Sequence, residues 1–162
     1  MEMNWIAIFV SALTTLVVGF IWYNPKVFGT IWMKEIGLTE EELAKGNMLK
    51  IFGLTFIFSL LIVIIEMSLT IHQNGAYGMV GGPPEMNKAL PSFHAFMKDY
   101  GTAFRTFKHG ALHGFISGLF FAFPIIAING LFERKSWKYI FIQSGYWTVT
   151  LTIIGSIVCG WV

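Results

Sequence analysis

The sequence predicts an all-α, polytopic integral membrane protein: four transmembrane helices in a compact bundle, with an interfacial amphipathic helix in the connection between the second and third. Two observations carry this prediction. The 162-residue chain is 55% hydrophobic and only 12% charged, with a mean hydropathy of +0.64, far more apolar than a soluble domain. Its apolar residues are also gathered into four runs, at about 5–23, 48–71, 110–130 and 139–161, each near the roughly 20 residues that a helix needs to cross a bilayer. The spans and their connections use nearly all of residues 1–162, read as a single four-helix transmembrane domain. Any activity is therefore expected among the helices or in the one long connection.

Charge and cysteine content exclude several classes. A formal net charge of +2 is spread over the loops and gives no basic stripe for nucleic acid. A single cysteine, Cys159, rules out an intrachain disulfide. The first span is expected to stay uncleaved, because Glu2 stands where a signal peptide has its basic n-region and the apolar stretch is too long. Lys26, Lys34, Lys45, Lys50, Arg134, Lys135 and Lys138 flank one side of the bundle, against Lys88, Lys98, Arg105 and Lys108 on the other. That asymmetry predicts a cell-membrane protein with both termini non-cytoplasmic.

Along the chain, span one ends at Trp22-Tyr23-Asn24-Pro25, an aromatic pair followed by a helix-stopping proline. Trp22, Tyr23, Trp32 and Trp137 are read as interface anchors. Phe28, Ile31 and Trp32 recur at helical spacing, which suggests a short segment in the headgroup layer. Thr39 to Glu42 form a capping box that should start a helical turn. The long connection has a glycine- and proline-rich first half, Gly75 to Pro91, read as an irregular mobile segment. Its second half carries a three-four-spaced stripe of Phe93, Phe96, Met97, Tyr100, Phe104 and Phe107, predicting an amphipathic helix from about Ser92 that feeds into span three with a bend near Gly101.

Small residues recur at every fourth position. Gly110, Gly114, Gly118 and Ala122 do so in span three, and Ala7, Ser11, Thr15 and Gly19 in span one, with a looser set of Gly145, Thr148, Thr152 and Gly155 in span four. Such stripes let helix backbones approach in lipid, either within one chain or between copies. Pro124 should kink span three and free the carbonyl near Phe120.

Several of these segments together carry a resemblance: Gly19-Phe-Ile-Trp22-Tyr23-Asn-Pro25 with Phe28-Gly29 and Trp32, the acidic Thr39-Glu-Glu-Glu run, His109-Gly110 and His113-Gly114, and Gly145-Tyr146 before a closing Gly-Trp. Over almost its whole length the chain resembles a widespread bacterial family of small four-span membrane proteins catalogued as domain of unknown function 1761. The resemblance implies the fold and a membrane location, and it brings no activity.

Glu66 is the one carboxylate inside any of the four runs, roughly 7 Å from the end of span two. An ionisable group at such depth is costly and marks a functional-site candidate whose partner should be named. His109 and His113, four apart at the start of span three, are the expected partners, in a buried polar cluster open to the outer side. Arg105 is a further candidate for this ligand-binding or proton-responsive site. Two histidines at this spacing suit one metal ion, so Glu66, His109 and His113, with His72 or His94 from the connection, form a candidate Zn or Fe ligand set. A His-Glu-x-x-His hydrolase motif is absent, and Glu66 could simply pin two helices together. The leading reading is a ligand-responsive or accessory subunit in the lipid bilayer, as a homo-oligomer or attached to another membrane protein. No reaction is assigned, a divalent metal is the one cofactor considered, and a metal-dependent membrane enzyme or a small transporter is the alternative.

Overall fold

The computed structural model describes residues 3–162, and all regular secondary structure among them is helical. In chain order the α-helices are α1 (Trp5–Trp22), α2 (Gly29–Ile36), α3 (Glu40–Ala44), α4 (Met48–Thr70), α5 (His72–Met79), α6 (Pro91–Tyr100), α7 (Phe107–Ser117), α8 (Phe123–Phe132) and α9 (Trp137–Gly160). A π-helical turn, Gly118–Ala122, joins α7 to α8, so that Phe107–Phe132 is one continuous helix. This helix, α1, α4 and α9 are each long and apolar enough to cross a membrane. The chain is therefore a multi-pass, all-α membrane protein, with outward faces such as Ile57, Leu61, Ile64 and Phe120 suited to lipid.

Local chemistry starts each span. Asn4, Asn47, Thr106 and Ser136 each accept a hydrogen bond from a backbone N–H in the first turn of the helix that follows. The capping box at α3 is complete: Thr39 Oγ1 accepts from Glu42 N at 3.2 Å and the Glu42 carboxylate accepts from Thr39 N at 2.8 Å. These bonds hold the Glu42 carboxyl below its ordinary pKa.

The central helix is α9, which packs against α1, α2, α4, α7 and α8. Its Ile154 and Val158 close a core with Ile8, Ala12 and Val63. Its tightest neighbour is α7, and the reason lies in the small residues. A Cβ on Gly114 would fall 2.7 Å from the carbonyl carbon of Leu151, one on Gly118 would fall 2.5 Å from Thr148 Cα, and one on Gly155 would fall 3.1 Å from Gly114 Cα. Gly110 meets the Gly155 carbonyl in the same way. The stripe thus serves a contact within one chain. In α1, Ser11 and Thr15 are buried, the Thr15 carbonyl accepts from Tyr146 Oη at 2.8 Å, and Gly19 faces the Tyr146 ring at 3.7 Å.

Four expectations need correction. The every-fourth-residue stripe does not continue to Ala122, which is half-buried, whereas Ala127 is fully buried. The π turn adds a residue, forced where Pro124 has no N–H to give to Phe120. The Gly75 to Pro91 segment is not irregular throughout: α5 occupies its start and a 3-10 turn spans Pro83–Lys88. Helix α6 does not run into span three but ends at Tyr100. Residues 101–106 then form a turn in which Phe104 takes φ +62°, held by the buried Gln73 amide donating to the carbonyls of Tyr100 (3.0 Å) and Ala103 (2.8 Å). Finally, Trp22, Tyr23 and Trp32 turn inward. Trp22 Nε1 donates to the Ile142 carbonyl at 3.0 Å, Tyr23 bonds Gln143, and the Trp32 ring packs tilted against Tyr23, 4.9 Å between centroids. Burial first, then Tyr146 and Tyr139, raises the Tyr23 pKa. Of the four anchors Trp137 alone stands exposed.

Candidate metal centre

At the end of the bundle where α4 gives way to α5, three imidazoles meet. Helix α4 stops at Ile71, whose extended backbone breaks the helix before α5 resumes at His72. His72 thereby swings over α7, where His109 and His113 stand one turn apart on a single face. His72 Nε2 lies 3.2 Å from His113 Nε2 and 3.3 Å from His109 Nε2. The ligand atoms of all three lie within 4.8 Å of one another. A tetrahedral ion with Zn–N bonds of about 2.0–2.1 Å holds its ligand nitrogens about 3.3 Å apart. The two measured separations match that spacing.

The surroundings suit entry of an ion from water. His72 is exposed, while His109 and His113 are half-buried. The Phe104 ring covers the cluster, 5.1 Å from His109 and 5.8 Å from His72 between centroids. The left-handed backbone at Phe104, which a bulky residue rarely takes, aims that ring. The turn carrying it is fastened to the end of α9, where Cys159 Sγ donates to the Phe104 carbonyl at 3.4 Å and Arg105 Nε donates to the Cys159 carbonyl at 2.9 Å.

Glu66 is placed differently from the sequence expectation. It is buried, and its Oε1 accepts from Ser117 Oγ at 3.2 Å rather than from a histidine. Helical side chains lean toward their helix N-terminus. For α4 that direction runs away from the histidines, so the carboxylate reaches one turn deeper, to the residue after His113 on the same α7 face. The candidate ligand set is therefore His72, His109 and His113, without Glu66. Arg105 does not pair with Glu66: it lines a cavity of about 360 Å³ with Met3, Ile8, Met67 and Trp161. His94 sits on α6, its ring against Phe93, apart from the cluster.

Three contributors escape sequence reasoning. Ser117 continues the His109, His113 spacing, and that periodicity could have found it. The roles of Gln73 and Phe104 depend on tertiary contacts and leave no local signal. Among the comparisons, a family model described as "Protein of unknown function (DUF1761)" matches residues 6–159. No curated protein and no solved structure matches.

Proposed function

The chain belongs to the DUF1761 family, and from that premise and the convergence of three imidazoles we propose that it is a metal-responsive membrane protein whose His72, His109 and His113 bind one divalent cation. The observation that carries this reading is the pair of Nε2 separations, 3.2 and 3.3 Å. Three neutral imidazoles with a fourth position left to water form a known zinc arrangement, and imidazole also suits other late first-row metals. Occupancy would act as a clasp. His72 belongs to the connection after span two, and His109 and His113 belong to span three, so a shared ion ties the connection to the bundle. Ion availability then becomes a conformational state that another membrane component or a second copy of the chain can read.

With both termini on the non-cytoplasmic side, as the lysine and arginine asymmetry favours, the centre faces outward. Cysteine substitutions at Lys34 and Lys135 should then label only from the cytoplasm, and labelling from the opposite side would reverse this assignment.

Elemental analysis of detergent-purified protein after equilibration with zinc, backed by Co²⁺ absorption spectra, tests the reading. One ion per chain is expected. His72→Ala and His113→Ala should each weaken binding by at least the roughly 10–100-fold that loss of an outer-shell partner of a ligand costs, and His94→Ala should leave it unchanged. No zinc at micromolar concentration, or equal loss in all three variants, would refute the assignment.

A further inference from the structure

Glu66 is the one carboxylate within the four spans, and a three-histidine centre does not itself use it. Glu66 is only 2% exposed. Among the described residues its carboxylate accepts one hydrogen bond, from the Ser117 hydroxyl at 3.2 Å, and the salt bridges among them, Lys88 with Glu85 and Lys138 with Glu35, do not include it. A buried carboxylate with one hydroxyl donor is far from compensated if ionised, and such a group either stays protonated or answers a nearby cation.

The elements packed on α4 leave few candidates for that cation. Helix α1 has no ionisable side chain. On α9, Lys138 and Tyr139 lie at the opposite end, Tyr146 bonds Thr15, and Cys159 bonds Thr70 and Phe104. Toward the near end, α5 brings His72, the turn before α7 brings Arg105, held on the Cys159 carbonyl, and α7 brings exposed Lys108 with His109 and His113. His109, His113 and Ser117 follow one another at every fourth residue, so Ser117, which binds the carboxylate, lies one turn, about 6 Å along the helix, beyond His113 and two turns beyond His109.

We infer that Glu66 is the internal counter-charge of the bound ion: protonated in the metal-free protein and ionised when a divalent cation occupies the histidines, so that loading the centre expels a proton. This rests on the metal-binding reading above. The exchange balances simply. The imidazoles supply lone pairs to the ion, the O–H bond of Glu66 breaks, its electron pair stays on the carboxylate, and the proton leaves to water at the histidine end. The net charge brought into the bundle falls from two to one. Ser117 then donates to the carboxylate in the loaded state. The site is thereby a cation-for-proton exchanger, selective for divalent ions that imidazole binds.

The test compares zinc binding by the wild type and Glu66→Gln in lightly buffered solution with a pH indicator, at a series of pH values from about 5 to 8, across which imidazole ligands lose their protons. The wild type should release more protons per zinc than the variant, with the excess peaking at up to one proton inside that range. Zinc affinity of Glu66→Gln at the alkaline end should fall tenfold or more. Equal proton release and equal affinity would overturn the inference and leave the metal centre standing, whereas failure of the wild type to bind zinc would remove both. Should Glu66→Gln not fold, infrared difference spectra of the wild type decide: the carbonyl stretch of a protonated carboxylic acid should be present without zinc and vanish with it. Persistence of that band on zinc loading overturns the proposal.

Discussion

Two faces of one helix do opposite work. Gly110, Gly114 and Gly118 turn one side of α7 toward α9, and His109, His113 and Ser117, each one residue earlier, turn the adjacent side toward α4 and α5. The first face is bare, so that backbones touch and the helix is fixed in position. The second carries the polar groups that such fixing can hold in register. Packing and chemistry are thus separated by a single step along the sequence. The lesson is that the glycine seam serves the histidines: it sets the depth and rotation at which they meet His72.

The comparison breaks most visibly at Gly114. Gly114→Leu drives a side chain into the backbone of Leu151 and Thr152, and overpacking of this kind costs about 1–3 kcal/mol or more. Melting in detergent should drop by several degrees, and zinc binding should weaken as well, because rotating α7 moves His113. Unchanged melting and elution would mean that the two helices do not pack through this face.

Ser117→Ala sharpens the other side with a smaller effect. It leaves the Glu66 acceptor without its one hydrogen bond, at a cost of about 1–3 kcal/mol while the group stays buried, yet it touches no imidazole. Stability should fall while zinc stoichiometry holds at its wild-type value in elemental analysis. A loss of stoichiometry would mean that the faces are less separable than their geometry implies.

The smallest effect is expected far from both faces, at α3. Glu42 has its pKa lowered by its bond to Thr39, so the capping contribution is fully present above the unfolded carboxylate pKa and is lost as pH falls through the lower folded value. Protection of the Thr39 amide, its exchange rate relative to the intrinsic rate at the same pH, should fall on acidification below the ordinary glutamate range, and Glu42→Gln should flatten that dependence. Protection independent of pH in the wild type would argue against the capping bond.

What could be read from the sequence follows the same division. The four spans and the α3 cap were legible because length, hydropathy and a three-residue spacing are local properties. The pairing of His109 with His113 was legible for the same reason, and the family resemblance agreed with the profile that matches residues 6–159. Glu66 was singled out by its depth, and it is buried, but it bonds Ser117 and not the histidine expected from matching depth, which ignores the lean of side chains along α4. Residues 101–106 read as helix because Phe104 and Phe107 keep the stripe's spacing, while the Gln73 bonds that turn the chain there come from α5 and leave no periodic trace.

The π turn at Gly118–Ala122 has a consequence for the rest of span three. One surplus residue advances everything after it by about 100° relative to an uninterrupted α-helix, which is why Ala127 is buried, while Ala122 and Ile126, the next two positions counted in fours from Gly118, are only half-buried. The turn behaves as a phase shifter between two half-spans. Excising one residue there would restore an ordinary α-helix and rotate the far half, carrying Ala127 out toward lipid, while His109 and His113 kept their aim. Homologous chains of different length can therefore gain or lose a residue at this turn without disturbing the histidine end, provided that the small residues beyond it shift register to match.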